Sequence, residues 1–410
     1  MPRLRAKLER GESATVVAYG TSMTASGEYL GAVVPALAAA YPQARIAFTA
    51  IGRNGFDTVL AAFDARSVAA TRPDLVLLEF TINDASRAIL PLIVPALLGI
   101  VAQIRAAAPA CEFAFVYLAR PSIDVAGDLV QIRIHDAFAD LFGWPSFNLL
   151  RLTVELLRSG AAVYIGDPAR ALTRDGTHHA PAAARLIGEP FAAALASVIA
   201  TPGDCDVPAA LPPLAAVAAA LAERSGGALA QLVTPTFRFD ADVFGRLLTD
   251  RFEFPDRANV DPVKYVDLVW VPPQSARPDR AAETIFQRAR RAAPRDFVVS
   301  AGWGTGTTTR PIANLHYREE LLVAVADGAA LRFECGSFAT ITGFASGGTL
   351  LVAVDGEATE IRPAVVSAAD GVQNWPLLIT NGLSDRRHVI EVIAAGSMMA
   401  LSDVFYIDPP

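Results

Sequence analysis

Thr15-Val16-Val17-Ala18-Tyr19-Gly20-Thr21-Ser22-Met23-Thr24 decides the fold, because an apolar run ends on a glycine and gives way to small polar residues and a helical stretch. Apolar runs at 45–50, 75–80 and 112–117 repeat that pattern, and a short further strand is expected near Ala162. Between them, residues 29–40, 59–70, 95–107 and 129–141 carry helical periodicity. Strands alternating with helices produce a parallel sheet covered by helices on both faces, so the first two hundred residues are α/β. Pro181, at the front of residues 182–200, marks a final helix, since proline is tolerated in a first turn.

The character of the chain changes twice after that. Residues 201–213 are rich in Pro, Gly and Asp with little periodicity, a linker composition. Residues 214–224, 242–251 and the Arg-rich 279–293 read as helical and carry no chemical motif. Beyond Ala293 the pattern turns to alternating strands at 331–335, 349–354 and 389–393, with turns at Ser346-Gly347-Gly348, Asp355-Gly356 and Asn381-Gly382. The expected organisation is an α/β domain over 1–205, a partly helical connecting region over 206–293, and a β-sandwich over 294–410.

The chain has 410 residues, enough for two or three cores, with 52% hydrophobic and 19% charged residues and a formal net charge of −7. No dense Lys/Arg run is present, which argues against a nucleic-acid or anionic-membrane partner. The apolar stretch 88–102 falls short of the ~20 residues of a spanning helix and contains Pro91 and Pro95, so membrane insertion is not expected. Cys111, Cys205 and Cys335 are odd in number and unpaired in spacing, which speaks against a disulfide framework or a zinc site. The charged N-terminus lacks the apolar core of a secretory signal, so the chain as written reads as cytoplasmic; a chain trimmed of a leader would read the same, leaving a secreted or periplasmic location open.

Ser22 stands at the carboxyl end of the first strand, where open α/β sheets bind ligands. Gly20 keeps that turn tight, and the Ser22 amide could face a developing oxyanion; the bland alternative is a helix N-cap. A serine hydroxyl needs a base to take its proton, and the base needs a carboxylate to fix its tautomer. Asp175-Gly176-Thr177-His178 can supply both from one loop, Asp175 orienting and His178 taking the proton, the bland alternative being a loop histidine that caps the final helix. His179 takes the base role instead if the loop register differs, and His135 sits in a helical segment. No histidine forms an HExxH-type pattern, so neither a catalytic metal nor a cofactor is expected. Two further turns follow strands: Glu79-Phe80-Thr81-Ile82-Asn83-Asp84, where the Asn83 amide could point at an oxyanion, and Gly52-Arg53-Asn54-Gly55-Phe56-Asp57-Thr58, where a glycine amide could do the same.

Together, in this order, the four motifs resemble the SGNH/GDSL hydrolase superfamily over roughly residues 12–200. That family's blocks are Gly-Asp-Ser, Gly, Gly-x-Asn-Asp and Asp-x-x-His, matched here by Gly20-Thr21-Ser22, Gly55, Thr81-Ile82-Asn83-Asp84 and Asp175-Gly176-Thr177-His178. The resemblance implies a doubly wound, flavodoxin-like parallel sheet, a catalytic set of Ser22, His178 and Asp175, and an oxyanion hole made by the Ser22 amide, the Gly55 amide and Asn83. Thr21 and Thr81 depart from the family pattern, and His179 stands where the family often has proline, placing a second imidazole at the rim of the site. The β-rich tail more loosely resembles the jelly-roll domains that accompany some carbohydrate esterases and polysaccharide O-acetyltransferases, with Trp303 or Trp375 available to stack on a sugar if not buried.

These readings converge on hydrolysis of a small acyl ester, acetyl on a carbohydrate, through an acyl-enzyme on Ser22. The expected partner is a small ester or acylated carbohydrate. Acyl transfer to a sugar hydroxyl uses the same residues, and a non-catalytic carbohydrate-binding protein on a hydrolase scaffold is the third reading.

Overall fold

The computed structural model describes residues 1–84, 90–118, 129–202, 211–212, 214–224, 286–307, 320–336, 339–345, 349–361, 375–379, 383, 386–395 and 399–410. The chain divides into two compact units. The first is α/β, with strands β1 (Ser13–Gly20), β2 (Arg45–Gly52), β3 (Leu75–Glu79), β4 (Glu112–Tyr117) and β5 (Ser146–Asn148), all paired in parallel in the order β2-β1-β3-β4-β5. Its helices are α1 (Pro2–Glu9), α2 (Ser22–Ser26), α3 (Val33–Ala40), α4 (Thr58–Ala69), α5 (Ile93–Ala107), α6 (Val130–Leu141), α7 (Leu149–Arg158), α8 (Glu189–Ala200) and α9 (Leu214–Arg224).

The side-chain alternation of the strands builds both layers. Val16, Ala18, Leu75, Leu77, Ala114 and Val116 join Leu4 and Leu8 of α1, Val33 and Leu37 of α3, and Phe191 and Leu195 of α8 in one core. The alternate residues face the other layer: the Tyr19 hydroxyl donates to the Ala61 carbonyl of α4, and Phe115 packs on Phe138 of α6. Every residue of β3 and β4 is buried, the signature of strands covered on both faces. Strand β2 lies at the edge and is half exposed. The order 2-1-3-4-5 switches direction between β1 and β3, and ligands bind such sheets outside the carboxyl ends of the strands at that point. Gly20 is level with Gly52 on one side and Glu79 on the other, so three loops leave the sheet together.

Several elements differ from the sequence reading. The segment near Ala162 forms an isolated bridge, Val163 to Ala171, and the fifth strand is Ser146–Asn148, too short to stand out by periodicity. Residues 29–40 divide into a 3-10 turn, Glu28–Leu30, and α3, and the final helix opens with a π-turn, Ala184–Gly188, ahead of Pro190. The Arg-rich segment read as helical contains a strand, β6 (Ala289–Ala292).

The second unit is antiparallel. After β6 come β7 (Val298–Val299), β8 (Trp303–Thr307), β9 (Glu320–Ala324), β10 (Ala329–Cys335), β11 (Ala339–Ala345) and β12 (Thr349–Val354). The remaining strands are β13 (Glu357–Ile361), β14 (Trp375–Ile379), β15 (His388–Ala395) and β16 (Met399–Ile407). One sheet runs β13-β12-β15-β10-β7 and the other β14-β11-β16-β9-β8, with β6 paired to β16. Leu331, Phe333, Leu350, Val352, Ile390 and Val392 of the first sheet share a core with Leu322, Ile341, Leu401 and Val404 of the second. Asp355 and Gly356 both have positive φ, as a two-residue hairpin turn requires. Trp303 is half buried against this core. The turns expected at 346–348 and 381–382, the helix at 242–251, the 279–285 part of the Arg-rich segment, and the Trp375 side chain lie outside the described residues. Among those described, no helix is long and apolar enough to cross a membrane.

Candidate active site

Strand β1 ends at Gly20, Thr21 caps α2 through its side-chain oxygen, which accepts the Met23 N–H at 3.2 Å, and Ser22 is the first helical residue. That position leaves the Ser22 N–H among the amides a helix cannot pair internally. A side chain at Gly20 would collide with the Thr24 hydroxyl and the Glu79 backbone, and one at Gly52 would collide with Ala25, so two glycines let α2 sit down on the strand ends.

The loop before the last helix brings His178 to Ser22. Nε2 of His178 lies 3.0 Å from Ser22 Oγ, and Nδ1 lies 2.7 Å from Asp175 Oδ2. Asp175 Oδ1 also accepts the backbone N–H groups of Thr177 at 2.9 Å and His178 at 2.8 Å, across Gly176 in the left-handed region at φ 84°. Tyr164 donates its hydroxyl to the Gly176 carbonyl and pins the turn from outside. Partial burial works to raise the Asp175 carboxyl, but the hydrogen bonds from the His178 ring and from the two amides outweigh it and bring it down to about 2. Asp175 is therefore ionised near neutrality, and it orients the ring with Nδ1–H toward itself and Nε2 toward the serine.

His179 is not at the rim. It is 4% exposed, packs edge-on against Tyr29 at 5.9 Å, and pairs through its backbone with Thr173. Burial, then the neighbouring His178 and Arg174, lower its ring to about 4, so it is neutral. His135 lies in α6 and bonds Asp84 rather than Ser22. The thiols Cys111 and Cys335 are buried and burial pushes both up, Cys335 to about 12, which makes neither a nucleophile; Cys205 is outside the described residues.

Asn83 sits in a turn after β3, and its Nδ2 donates to the Phe56 carbonyl at 2.8 Å, leaving the second N–H of that amide for another acceptor. Gly55, at φ 71°, belongs to the loop after β2, which the Arg53 N–H ties to the Gly20 carbonyl at 2.8 Å. The loops bearing Ser22, Gly55 and Asn83 are thus bonded to one another in sequence.

Both threonines that depart from the expected motif have partners. The Thr81 hydroxyl bonds Leu118 twice, donating to its carbonyl at 2.8 Å and accepting its backbone N–H at 3.1 Å, fastening the Asn83 turn to the end of β4. Thr21 donates both its amide, at 3.1 Å, and its hydroxyl, at 2.8 Å, to Glu79 Oε2, which also receives the Thr24 hydroxyl at 3.0 Å. The sequence does not mark Glu79 as a site residue. The available signal was a lone carboxylate in the apolar run Leu75-Val76-Leu77-Leu78-Glu79-Phe80. It is fully buried beneath the turn that carries Ser22, and burial raises it to about 8 against the threonine hydrogen bonds.

No family model and no curated protein matches the chain. Among solved structures, a two-domain esterase (CEX) active on acetylated mannans is similar in fold at a TM-score of 0.60 and 14% identity, over 99% of this chain and 95% of that one. The same esterase co-crystallized with mannopentaose gives 0.60 and 14% over 100% and 95%. At that identity the likeness is one of fold: a parallel α/β sheet followed by antiparallel sheets.

Proposed function

We propose that this chain is a serine esterase of the SGNH/GDSL type that removes a small acyl group, acetyl, from a carbohydrate. The observation that carries the reading is the unbroken line from Asp175 through His178 to Ser22, at 2.7 Å and 3.0 Å. The fold likeness to an esterase active on acetylated mannans supports the substrate class.

In this reading Ser22 Oγ attacks the acyl carbonyl carbon while His178 Nε2 takes the hydroxyl proton. Charge collects on the carbonyl oxygen, where the Ser22 amide, the Gly55 amide and the free Asn83 N–H donate. The carbon–oxygen bond to the sugar breaks as His178 returns the proton to the departing sugar oxygen. Water then attacks the acyl-enzyme, gives a proton to Nε2, and releases the carboxylic acid as Ser22 Oγ recovers its proton. Asp175 keeps Nδ1 protonated throughout and stabilises the transient imidazolium.

The test is turnover of p-nitrophenyl esters from acetate upward beside an acetylated mannan. Release of acetate from both, lost in Ser22→Ala, is the expected result. Absence of turnover with unaltered folding would overturn the reading, and acetyl appearing on an added sugar acceptor in place of free acetate would make the chain a transferase.

A further inference from the structure

A second histidine–carboxylate pair, this one fully buried, stands beside the Asn83 turn. Asp84, adjacent in sequence to Asn83, is 0% exposed. Its Oδ1 accepts the Thr58 backbone N–H at 2.9 Å; its Oδ2 accepts the Thr58 hydroxyl at 2.5 Å and lies 2.7 Å from His135 Nε2. His135 is 1% exposed, stands 3.3 Å from the Thr58 hydroxyl through the same nitrogen, and is flanked edge-on by Phe115 at 5.9 Å and Tyr117 at 6.3 Å. A buried carboxylate is costly unless donors surround it, and with Asp84 accepting, Nε2 carries the ring proton.

The placement of the three residues gives the cluster its consequence. Thr58 begins α4 immediately after Gly55-Phe56-Asp57, and Asp84 follows Asn83. The loops that carry two of the proposed oxyanion donors are therefore stitched twice, once by Asn83 to the Phe56 carbonyl and once by Asp84 to both donors of Thr58. His135 closes the second stitch from a different element, so the loops are braced against helix α6.

We infer that His135 is a positioning residue for the oxyanion hole: through Asp84 and Thr58 it sets the spacing of the Gly55 amide and the Asn83 side chain without touching the reacting atoms. The inference rests on the proposed role of Ser22 as nucleophile. Donors to an oxyanion act only within a narrow range of distance, so loosening the brace lowers transition-state stabilisation before it affects substrate binding.

The experiment compares His135→Leu, His135→Gln and Thr58→Val in the full chain, with p-nitrophenyl acetate kinetics and with the rate at which a serine-directed phosphonate labels Ser22. His135→Leu should lose about 10- to 100-fold in kcat with KM within about threefold of the parent. His135→Gln, whose amide N–H can reach Asp84, should recover most of that loss. Thr58→Val, close in shape, removes one donor to Asp84 and should lower kcat in the same direction; it carries the test if His135→Leu does not fold. Parental kcat in a folded His135→Leu or, failing that variant, in Thr58→Val would overturn the inference. Equal losses in the Leu and Gln variants would overturn it as well, since volume rather than the hydrogen bond would then matter. A parent chain that neither labels at Ser22 nor turns over would overturn the nucleophile assignment itself, and this brace with it.

Discussion

His178 Nε2 stands 3.0 Å from Ser22 Oγ although 156 positions separate the two residues in the chain. The parallel sheet accounts for the meeting: Ser22 leaves the carboxyl end of β1, and His178 precedes the π-turn whose helix packs back against α3 and the 3-10 turn at Glu28–Leu30. Gly188 permits that approach, since a side chain there would come within 3.1 Å of the Tyr29 carbonyl. With the His178 imidazole and the Ser22 hydroxyl already in hydrogen-bond reach, Ser22→Ala should abolish the proposed ester turnover and leave the thermal unfolding midpoint almost unchanged. A mass shift confined to the peptide containing Ser22 after phosphonate treatment checks the same assignment independently.

The two adjacent histidines should behave in opposite ways. His178→Ala removes the proposed base and should reduce kcat by about 10³-fold or more, because in the proposed mechanism nucleophile and base act as a unit. His179→Ala removes a buried ring packed on Tyr29, so it should keep turnover and lose about 1–3 kcal/mol of stability to the cavity it leaves. Kinetics paired with chemical denaturation separate the outcomes, and a His179→Ala that is inactive but stable would move the base role to that residue.

Asn83→Ala should lower kcat by about 10²- to 10³-fold with little change in KM, as expected of a donor that engages charge only in the transition state. It also removes the bond to the Phe56 carbonyl, so some stability should be lost as well. Steady-state kinetics on a short ester measure the first effect, and thermal unfolding the second. A rise in KM alone would assign Asn83 to ground-state binding.

Legibility in the sequence followed the range of the interactions involved. Strands such as Leu75–Glu79 and helices such as Ile93–Ala107 announce themselves by local periodicity, and Asp175 and His178 lie close enough together to be recognised as a pair. Strand Ser146–Asn148 and strand Ala289–Ala292 were not legible, because three or four residues carry no period and each is fixed by pairing with a strand far along the chain. The bracing beneath the site is illegible in the sequence for the same reason. Glu79 meets Thr21 across 58 positions and His135 meets Asp84 across 51, and nothing local marks either pair. Sequence puts His179 at the rim because its burial depends on Tyr29, from a segment distant in sequence.

The His179 ring also sets an acid limb. Its folded value of about 4 lies below the ordinary 6.5, so the folded chain binds fewer protons than the unfolded chain between those values. The stability it contributes is present above pH 6.5 and is lost as pH falls toward 4. His179→Phe, which keeps an aromatic ring against Tyr29 and cannot titrate, should flatten that part of the stability profile. Denaturant midpoints at pH 4.5 and 6.5 test it, and an unchanged slope would mean that other groups carry the limb.

Glu79 predicts the opposite slope at higher pH. Burial raises its carboxyl from the ordinary 4.5 to about 8, so the folded chain holds a proton that the unfolded chain has released across that window. Its contribution is fully present below pH 4.5 and is lost as pH rises through 8, where the ionised form stands buried with one oxygen, Oε1, lacking a partner among the described residues. Glu79→Gln keeps an oxygen to accept the Thr21 amide and the Thr21 and Thr24 hydroxyls, and it removes the titration. The variant should therefore be more stable relative to the parent at pH 8.5 than at pH 5. It should also retain ester turnover further into the alkaline range, since the turn holding Ser22 no longer acquires a buried charge beneath it. Glu79→Leu, which abolishes all three hydrogen bonds, should lose kcat at every pH, because the Thr21 amide and hydroxyl that shape the Ser22 turn would be left without their acceptor. Parallel stability profiles for the parent and Glu79→Gln between pH 5 and 8.5 would show that Glu79 is ionised throughout and that the buried turn tolerates its charge.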